Sequence, residues 1–165
     1  MEIRRAQRND LEPWVELRLA LWPDEDLAHL RREAEEILKS DDQVCFIAFE
    51  QMLATGFVEA QVHRGANGPY AHVEGWYVVP AARRRGCGGQ LIGRVEQWCL
   101  HRAIRILTSD TTPSYPDSPS AHRAAGFRVI HQFTIFAKDL GSLPDSPAPK
   151  AGVCSTHGVE MVGRK

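Results

Sequence analysis

Glu74-Gly75-Trp76-Tyr77-Val78-Val79-Pro80-Ala81-Ala82-Arg83-Arg84-Arg85-Gly86-Cys87-Gly88-Gly89-Gln90-Leu91-Ile92 is the stretch on which the fold of this chain turns. It reads as a buried strand, a basic glycine-rich turn and the start of a helix. Val73, Trp76, Tyr77, Val78 and Val79 are strand formers. Pro80 has no N–H to give a ladder, so the strand stops there. Gly86, Gly88 and Gly89 lack a Cβ and let backbone amides approach a ligand closely. Leu91, Ile92, Val95 and Trp98 follow at helical spacing, and that helix points its positive end at the turn. Amides, helix terminus and three arginines together make an anion site suited to phosphate.

Two common phosphate motifs do not fit. A Walker loop needs a Lys before Ser or Thr, and Gly88-Gly89-Gln90 offers none. A dinucleotide fingerprint needs a third Gly where Leu91 stands. The hexapeptide Arg83-Arg84-Arg85-Gly86-Cys87-Gly88 does resemble the pyrophosphate loop of GCN5-related N-acetyltransferases (GNAT), Gln/Arg-x-x-Gly-x-Gly/Ala. A plain solvated basic turn before a helix is the competing reading of the same residues.

Upstream of this stretch, residues 2–6 suit a first strand. Asn9 suits a helix cap, with Glu12 at the capping-box position, and Trp14, Leu17 and Leu21 form the apolar stripe. Trp22-Pro23 ends that helix. Asp24 is expected to cap a second helix carrying Leu27, Leu30, Ala34, Ile37 and Leu38. Its acidic first turn suits either the helix dipole or the lip of a cationic substrate's site. Residues 43–49 and 54–62 read as a hairpin around Glu50-Gln51-Met52, and residues 63–70 as a loop. Gly75 inside its strand suggests a bulge. Downstream, residues 104–109 form a short strand and 110–117 a loop. Ser118 caps a short helix with Pro119 at N1 and Gly126 at C′, and residues 127–136 close the sheet. The order β-α-α-β-β-β-α-β-α-β predicts an α+β (mixed α/β) domain around one central sheet. Residues 1–140 form this domain. Residues 141–165, opening on Gly141-Ser142-Leu143-Pro144, form a linker-like tail that leaves a homodimer contact open.

At 165 residues, 43% of them hydrophobic and 25% charged, the chain has the size and composition of one globular domain. No apolar run reaches membrane-spanning length, and no secretory core follows Arg4 and Arg5, so a cytoplasmic location is expected. Cys45, Cys87, Cys99 and Cys154 show neither Cys-x-x-Cys spacing nor a companion histidine cluster, so no metal is expected. Residues 1–75 hold 8 Lys+Arg and 15 Asp+Glu, net −7; residues 76–165 hold 12 and 6, net +6. The acidic half suits a cationic ligand and the basic half an anionic one. Nucleic acid is disfavoured, because Arg83-Arg84-Arg85 is one short cluster and the pI is about 6.7.

Within the GNAT superfamily, residues 1–140 are similar to the bacterial aminoglycoside 6′-N-acetyltransferases. The motifs are Leu21-Trp22-Pro23, Glu74-Gly75 before the pyrophosphate loop, Ser109-Asp110-Thr111, His122-Arg123-Ala124-Ala125-Gly126-Phe127, and Phe136-x-Lys138-x-Leu140. The resemblance implies a mixed, mostly antiparallel sheet splayed between the fourth and fifth strands and flanked by helices. It also implies direct transfer from acetyl-CoA to the 6′-amine of an aminoglycoside, a resistance activity with no covalent enzyme intermediate and no role for Cys87 as nucleophile. The pyrophosphate would sit on Arg83, Arg84, Arg85, Gly86, Cys87, Gly88 and Gly89, and the pantetheine arm would pair with Trp76, Tyr77 and Val78 like an added strand. Tyr115, Ser118 and His122 would complete the cofactor side. His122 stands where many of these enzymes place an acid Tyr. Trp22, Glu74 and Asp110 would line the sugar pocket, with Tyr70 and His131.

An aminoglycoside is a polycation, so carboxylates should meet it, and the attacking amine must lose a proton first. Asp110 is the first choice for the base and Glu74 the second, with an N–H around Tyr77 or Val78 for the oxyanion. A turn-capping Asp110, a cross-strand ion pair for Glu74 and a core Trp22 are the structural alternatives. Three positions depart from the family: Tyr115 replaces an Asn, His131 replaces a Glu, and Ala66 replaces a Tyr that Tyr70 would substitute. A GNAT enzyme acting on a polyamine or a protein N-terminus, and a CoA-binding module without catalysis, are the other functions these residues leave open.

Overall fold

The computed structural model describes residues 1–131. They contain five strands, β1 (Glu2–Arg5), β2 (Gln43–Glu50), β3 (Leu53–Gly65), β4 (Gly68–Val78) and β5 (Leu107–Ser109). The helices are α1 (Leu11–Leu21), α2 (Leu27–Ile37), α3 (Cys87–His101) and α4 (Ser118–Ala124). The sheet runs β1-β2-β3-β4-β5 in sequence order, antiparallel except for the parallel β4–β5 pair. Met1–Arg128 form one compact unit, and Val129–Lys165 a second.

Strand alternation gives the sheet two apolar faces. Trp14, Val15 and Leu17 of α1 and Leu30, Ala34 and Ile37 of α2 cover one face, over Cys45, Ile47 and Phe57. Leu91, Ile92, Val95 and Cys99 of α3 cover the other, over Val44, Val58, Ala60, Ala71 and Val73. Among the described residues three polar or charged side chains are buried: Asp10, Arg18 and Glu59. Asp10 takes both Arg4 nitrogens at 2.6 and 2.7 Å. Glu59 accepts from the Trp14 indole at 2.7 Å and lies 3.1 Å from Arg18 Nε.

Several local expectations need correction. Asn9 does not cap α1. A short 3₁₀ turn over Arg8–Asp10 precedes the helix, and Asp10 accepts the Gln7 N–H at 2.8 Å. The cap of α2 is Asp26, which accepts the His29 N–H at 2.9 Å, so Asp24 and Glu25 lie outside the helix. The short α4 is preceded by Asp117 as cap instead of Ser118. Residues 63–70 are no loop. β3 and β4 continue as a hairpin to the pair Gly65↔Gly68, which leaves only Ala66 and Asn67 as the turn. Gly68 takes φ +103°, which a side chain would resist, and so closes that turn. β5 is shorter than expected. Residues 127–131 carry no regular element, and the rest of the expected closing strand lies outside the described residues, as do the 140/141 domain boundary and the tail.

The bulge at Gly75 is present. Glu59 pairs with Gly75 and Ala60 with Val73, so Glu74 is the extra residue. β4 pairs with β5 only from Ala71 to Val73, so its edge from residue 74 onward faces no strand among the described residues. This is the splay expected between the fourth and fifth strands.

Candidate active site

The open edge can be assigned group by group. Val79 N–H donates to Thr55 O at 2.9 Å. In an antiparallel pair such contacts recur at every second residue, so Tyr77 bonds to β3 while the backbone groups of Trp76 and Val78 turn to the open edge. Of the two oxyanion donors considered, Val78 N–H is therefore the available one. Val78 O already accepts from Arg83 Nε at 2.9 Å, and the Arg83 guanidinium lies 5.7 Å over the Tyr77 ring.

At the end of this edge stands the glycine turn. Arg84 (φ +64°) and Gly86 (φ +82°) bend the chain sharply, and Gly86 becomes the cap of α3. The first-turn amides of Cys87, Gly88 and Gly89 have no intrahelical acceptor. A Cβ on Gly89 would meet nothing within 4 Å, whereas one on Gly88 would come within 2.9 Å of Trp76 Cζ2. Cys87 is buried, and burial pushes its thiol up, so it offers its amide and not a nucleophile. The three arginines are not equivalent. Arg85 is held by Glu50 at 2.9 and 3.1 Å, Arg83 is tied to Val78, and Arg84 has no ion pair among the described residues.

Trp76 links this turn to α4. Its ring packs on Gly88 and edge-on to His122, with centroids 5.4 Å apart. His122 Nδ1 contacts Ser118 O at 2.8 Å, which requires N–H there; its Nε2 then takes the Ser109 hydroxyl at 2.7 Å. A closed turn with the Gly126 and Phe127 amides on Arg123 O and His122 O finishes α4, with Gly126 at φ +87°.

On the other face two carboxylates and several aromatic rings gather, the acidic side of the candidate site. Asp110 follows β5 directly, with its side chain 60% exposed. Glu74 sits on the bulge and meets His63 Nε2 at 3.1 Å, the cross-strand contact considered for it. Trp22 stands over Gly75, edge-on to Phe57 at 6.1 Å, with the Arg18 guanidinium 5.1 Å above its ring. Trp22 is half-buried, so it serves the core and the cleft wall together. Tyr115 donates to Leu21 O at 3.2 Å, which places its hydroxyl beside the end of α1 and Trp22. Tyr70 stacks on His63 at 5.3 Å. His131 is exposed and belongs to the second unit.

The sequence reading missed His63 and His72. His72 lies 3.8 Å from Asp110 and places Nδ1 2.9 Å from Thr108 Oγ1. Burial alone would lower its pKa. Asp110 and Glu74 outweigh that and hold it above the ordinary imidazole value. In return His72 holds Asp110 below the usual carboxylate range, against burial. The signal was available: His63 and Tyr70 lie at strand spacing from Glu59 and His72. The expected loop over 63–70 concealed it.

A glycine turn at a helix start, a strand edge leading into it that has no partner among the described residues, and a bulge where that edge begins are the features of an acetyl-CoA-dependent N-acetyltransferase. Residues 11–127 match the Acetyltransferase (GNAT) family, and the chain belongs to it. The chain is 38% identical over 144 residues to the aminoglycoside N(6′)-acetyltransferase type 1 of Salmonella typhimurium, covering 84% of this chain and 99% of the relative. It is 34% identical over 146 residues to the enzyme of the same name from Klebsiella aerogenes, covering 84% and 96%. The solved structure of AAC(6′)-Iy in complex with the bisubstrate analogue CoA-S-monomethyl-acetylneamine superimposes with a TM-score of 0.76 at 33% identity, covering 84% of this chain and 97% of that one.

Proposed function

We propose that this protein transfers the acetyl group of acetyl-CoA to the 6′-amine of aminoglycosides by direct attack, and so confers resistance. One observation carries the reading: the carboxylates of Glu74 and Asp110 stand where the open edge of β4 begins, and the glycine turn stands where it ends. A thioester laid along that edge has its anionic end on amides and Arg84 and its acyl end toward two carboxylates. The relatives at 38% and 34% identity, covered nearly end to end, supply the substrate class.

In this reading the amides of Gly86, Cys87, Gly88 and Gly89 hold the pyrophosphate, with Arg84 as the available cation. Trp76 and Val78 hold the pantetheine arm by β-augmentation. Val78 N–H points at the developing oxyanion. Glu74 and Asp110 hold the ammonium groups of the drug, and Trp22 offers a ring face to the sugar. His122, engaged by Ser109 and Ser118, supports the cofactor wall through Trp76. The partners are two small molecules, and the supply of acetyl-CoA places the reaction in the cytoplasm.

The test is thiol release from acetyl-CoA with kanamycin, tobramycin, spermidine and a peptide. Turnover is expected with the aminoglycosides. Asp110→Asn should lower kcat about 10²-fold and leave CoA affinity within about twofold. Turnover confined to spermidine or peptide would replace the substrate, and CoA binding without any turnover would replace the function.

A further inference from the structure

The acidic cleft contains one group that the transfer reaction needs and that neither carboxylate supplies. We infer that His72 is the proton acceptor for the attacking amine, with Asp110 holding that amine against His72 Nε2. The inference rests on the acetyltransferase reading and names the acid–base group of the same site.

The hydrogen-bond chain points to one tautomer. With its single proton on Ala71 O at 3.1 Å, Thr108 Oγ1 accepts from His72 Nδ1 2.9 Å away, an arrangement that puts the imidazole proton on Nδ1. The lone pair of neutral His72 is therefore on Nε2, the nitrogen turned toward Asp110. The gap from Nε2 to Asp110 Oδ1 is 3.8 Å, too long for a direct hydrogen bond. A nitrogen or water about 2.8 Å from each atom bridges it. A substrate ammonium at that point donates one N–H to Asp110 and another to Nε2.

The charges around His72 suit a base that must release its proton again. Among the described residues, Asp110 after β5, Glu74 on β4 and His63 on β3, its ring 6.2 Å away, are the ionisable groups that face it. With the cleft empty, the two carboxylates favour the imidazolium. An incoming polycation neutralises them and frees Nε2 at the moment the amine arrives. Asp110, held below the ordinary carboxylate range, is a poor base toward an ammonium but a good anchor for one. In the step, one ammonium proton passes to His72 Nε2. The freed nitrogen lone pair forms the C–N bond to the acetyl carbon. The C–S bond breaks with its electron pair going to the CoA sulfur. The second proton lost by nitrogen ends on that sulfur, giving amide and thiol, and His72 returns its proton to solvent.

His72→Asn is the informative variant. The Asn amide can still donate to Thr108 in place of Nδ1–H, and nothing replaces Nε2. With acetyl-CoA and kanamycin, wild type is expected to lose kcat/KM as pH falls through the His72 pKa. His72→Asn is expected to lose about 10²-fold in kcat and to lose that limb, with KM for kanamycin and affinity for CoA within about threefold. Unchanged kcat with an unchanged limb, in an enzyme that turns over kanamycin, would remove His72 from the chemistry and leave the acetyltransferase reading intact. A wild type inactive on every aminoglycoside would overturn both. A second measurement does not depend on the variant folding. Nitrogen-labelled histidine spectra of wild type should show His72 protonated at Nδ1 when neutral, with its midpoint moving down as kanamycin saturates the cleft. Protonation at Nε2, or a midpoint indifferent to kanamycin, would refute the assignment.

Discussion

Replacing Gly75 by Ala tests how Trp22 is seated over the β4 bulge. Gly75 is not one of the left-handed glycines, so its backbone accepts Ala without strain and the effect is purely steric. The new methyl would lie 2.6 Å from Trp22 Cη2, 3.1 Å from Cζ2 and 3.2 Å from Phe57 Cε2. Carbon atoms settle near 3.5–4.0 Å, so the Trp22 ring must retreat by about 1 Å. It cannot do so freely, because the Phe57 edge and the Arg18 guanidinium hold it from other sides. Arg18 is itself pinned, donating to Leu30 O and to Glu33 at 2.9 Å. Losing part of an edge contact and a cation–π contact amounts to about 1–3 kcal/mol. For a domain of this size that lowers Tm by roughly 3–8 °C. KM for kanamycin should rise about tenfold, with KM for acetyl-CoA within about twofold. Trp22→Phe removes the atoms in conflict, so the double variant should recover at least about 1 kcal/mol relative to the sum of the single variants. Additivity within about 0.5 kcal/mol, by denaturation of all four proteins, would show that Trp22 does not rest on Gly75.

Two further outcomes follow from the same geometry. Arg84→Gln should raise the Kd for CoA about tenfold and Arg85→Gln no more than about threefold, by calorimetry, because Arg85 is already paired with Glu50; equal effects would contradict that division of labour. Burial pushes the Glu59 carboxyl from 4.5 up to about 7, against Arg18 and the Trp14 N–H. The folded state then binds more protons than the unfolded chain between those values, so this group's contribution falls as pH rises through that window, by on the order of 3 kcal/mol. Glu59→Gln should therefore flatten the decline of unfolding free energy between pH 5 and pH 8, and an unchanged slope would assign the decline to other groups.

The parts of this fold that were legible in the sequence are those set by local chemistry. Pro80 ends the strand environment, Gly86 opens α3, Gly126 closes α4, and the Gln51–Met52 turn closes a hairpin despite φ values of +48° and +70° at non-glycine residues. The helix starts were less legible. Residues 7–10 and 24–26 each present several capping side chains in a row, and at the first of these the choice falls to a contact from outside the run, Arg4 on Asp10. The same limit hid part of the site. Gly65, Asn67, Gly68 and Pro69 carry every local mark of a loop, yet the strands continue through them, because His63↔Tyr70 and Arg64↔Pro69 pair across a two-residue turn. Pro69 is compatible with this, since β4 gains its β5 neighbour only from Ala71. Pairing is a property of the sheet, and the turn-forming residue types in this window outweighed the pairing that the rest of β3 and β4 imposes on it.

Under the proposed function, the extra residue at Glu74 explains how one strand serves two substrates. Before it, Ala71 and Val73 face α3, and Tyr70 and His72 face the acidic cleft. After it the parity is reversed: Trp76 and Val78 pack on the α3 side, while Gly75 lies under Trp22 and Tyr77 joins the α1–α2 side. A regular strand would have kept one parity throughout, and every side chain beyond residue 74 would have changed faces. Trp76 would then leave Gly88 and His122, and the cofactor wall would lose its central ring. The bulge also marks the last rung shared with β5, so the place where the faces exchange is the place where the edge opens. The groups that the proposed function gives to the acceptor (His72, Glu74, Asp110) and to the cofactor (Trp76, Val78, Gly88) therefore meet at one irregularity. That is the geometry a transfer between two bound molecules requires.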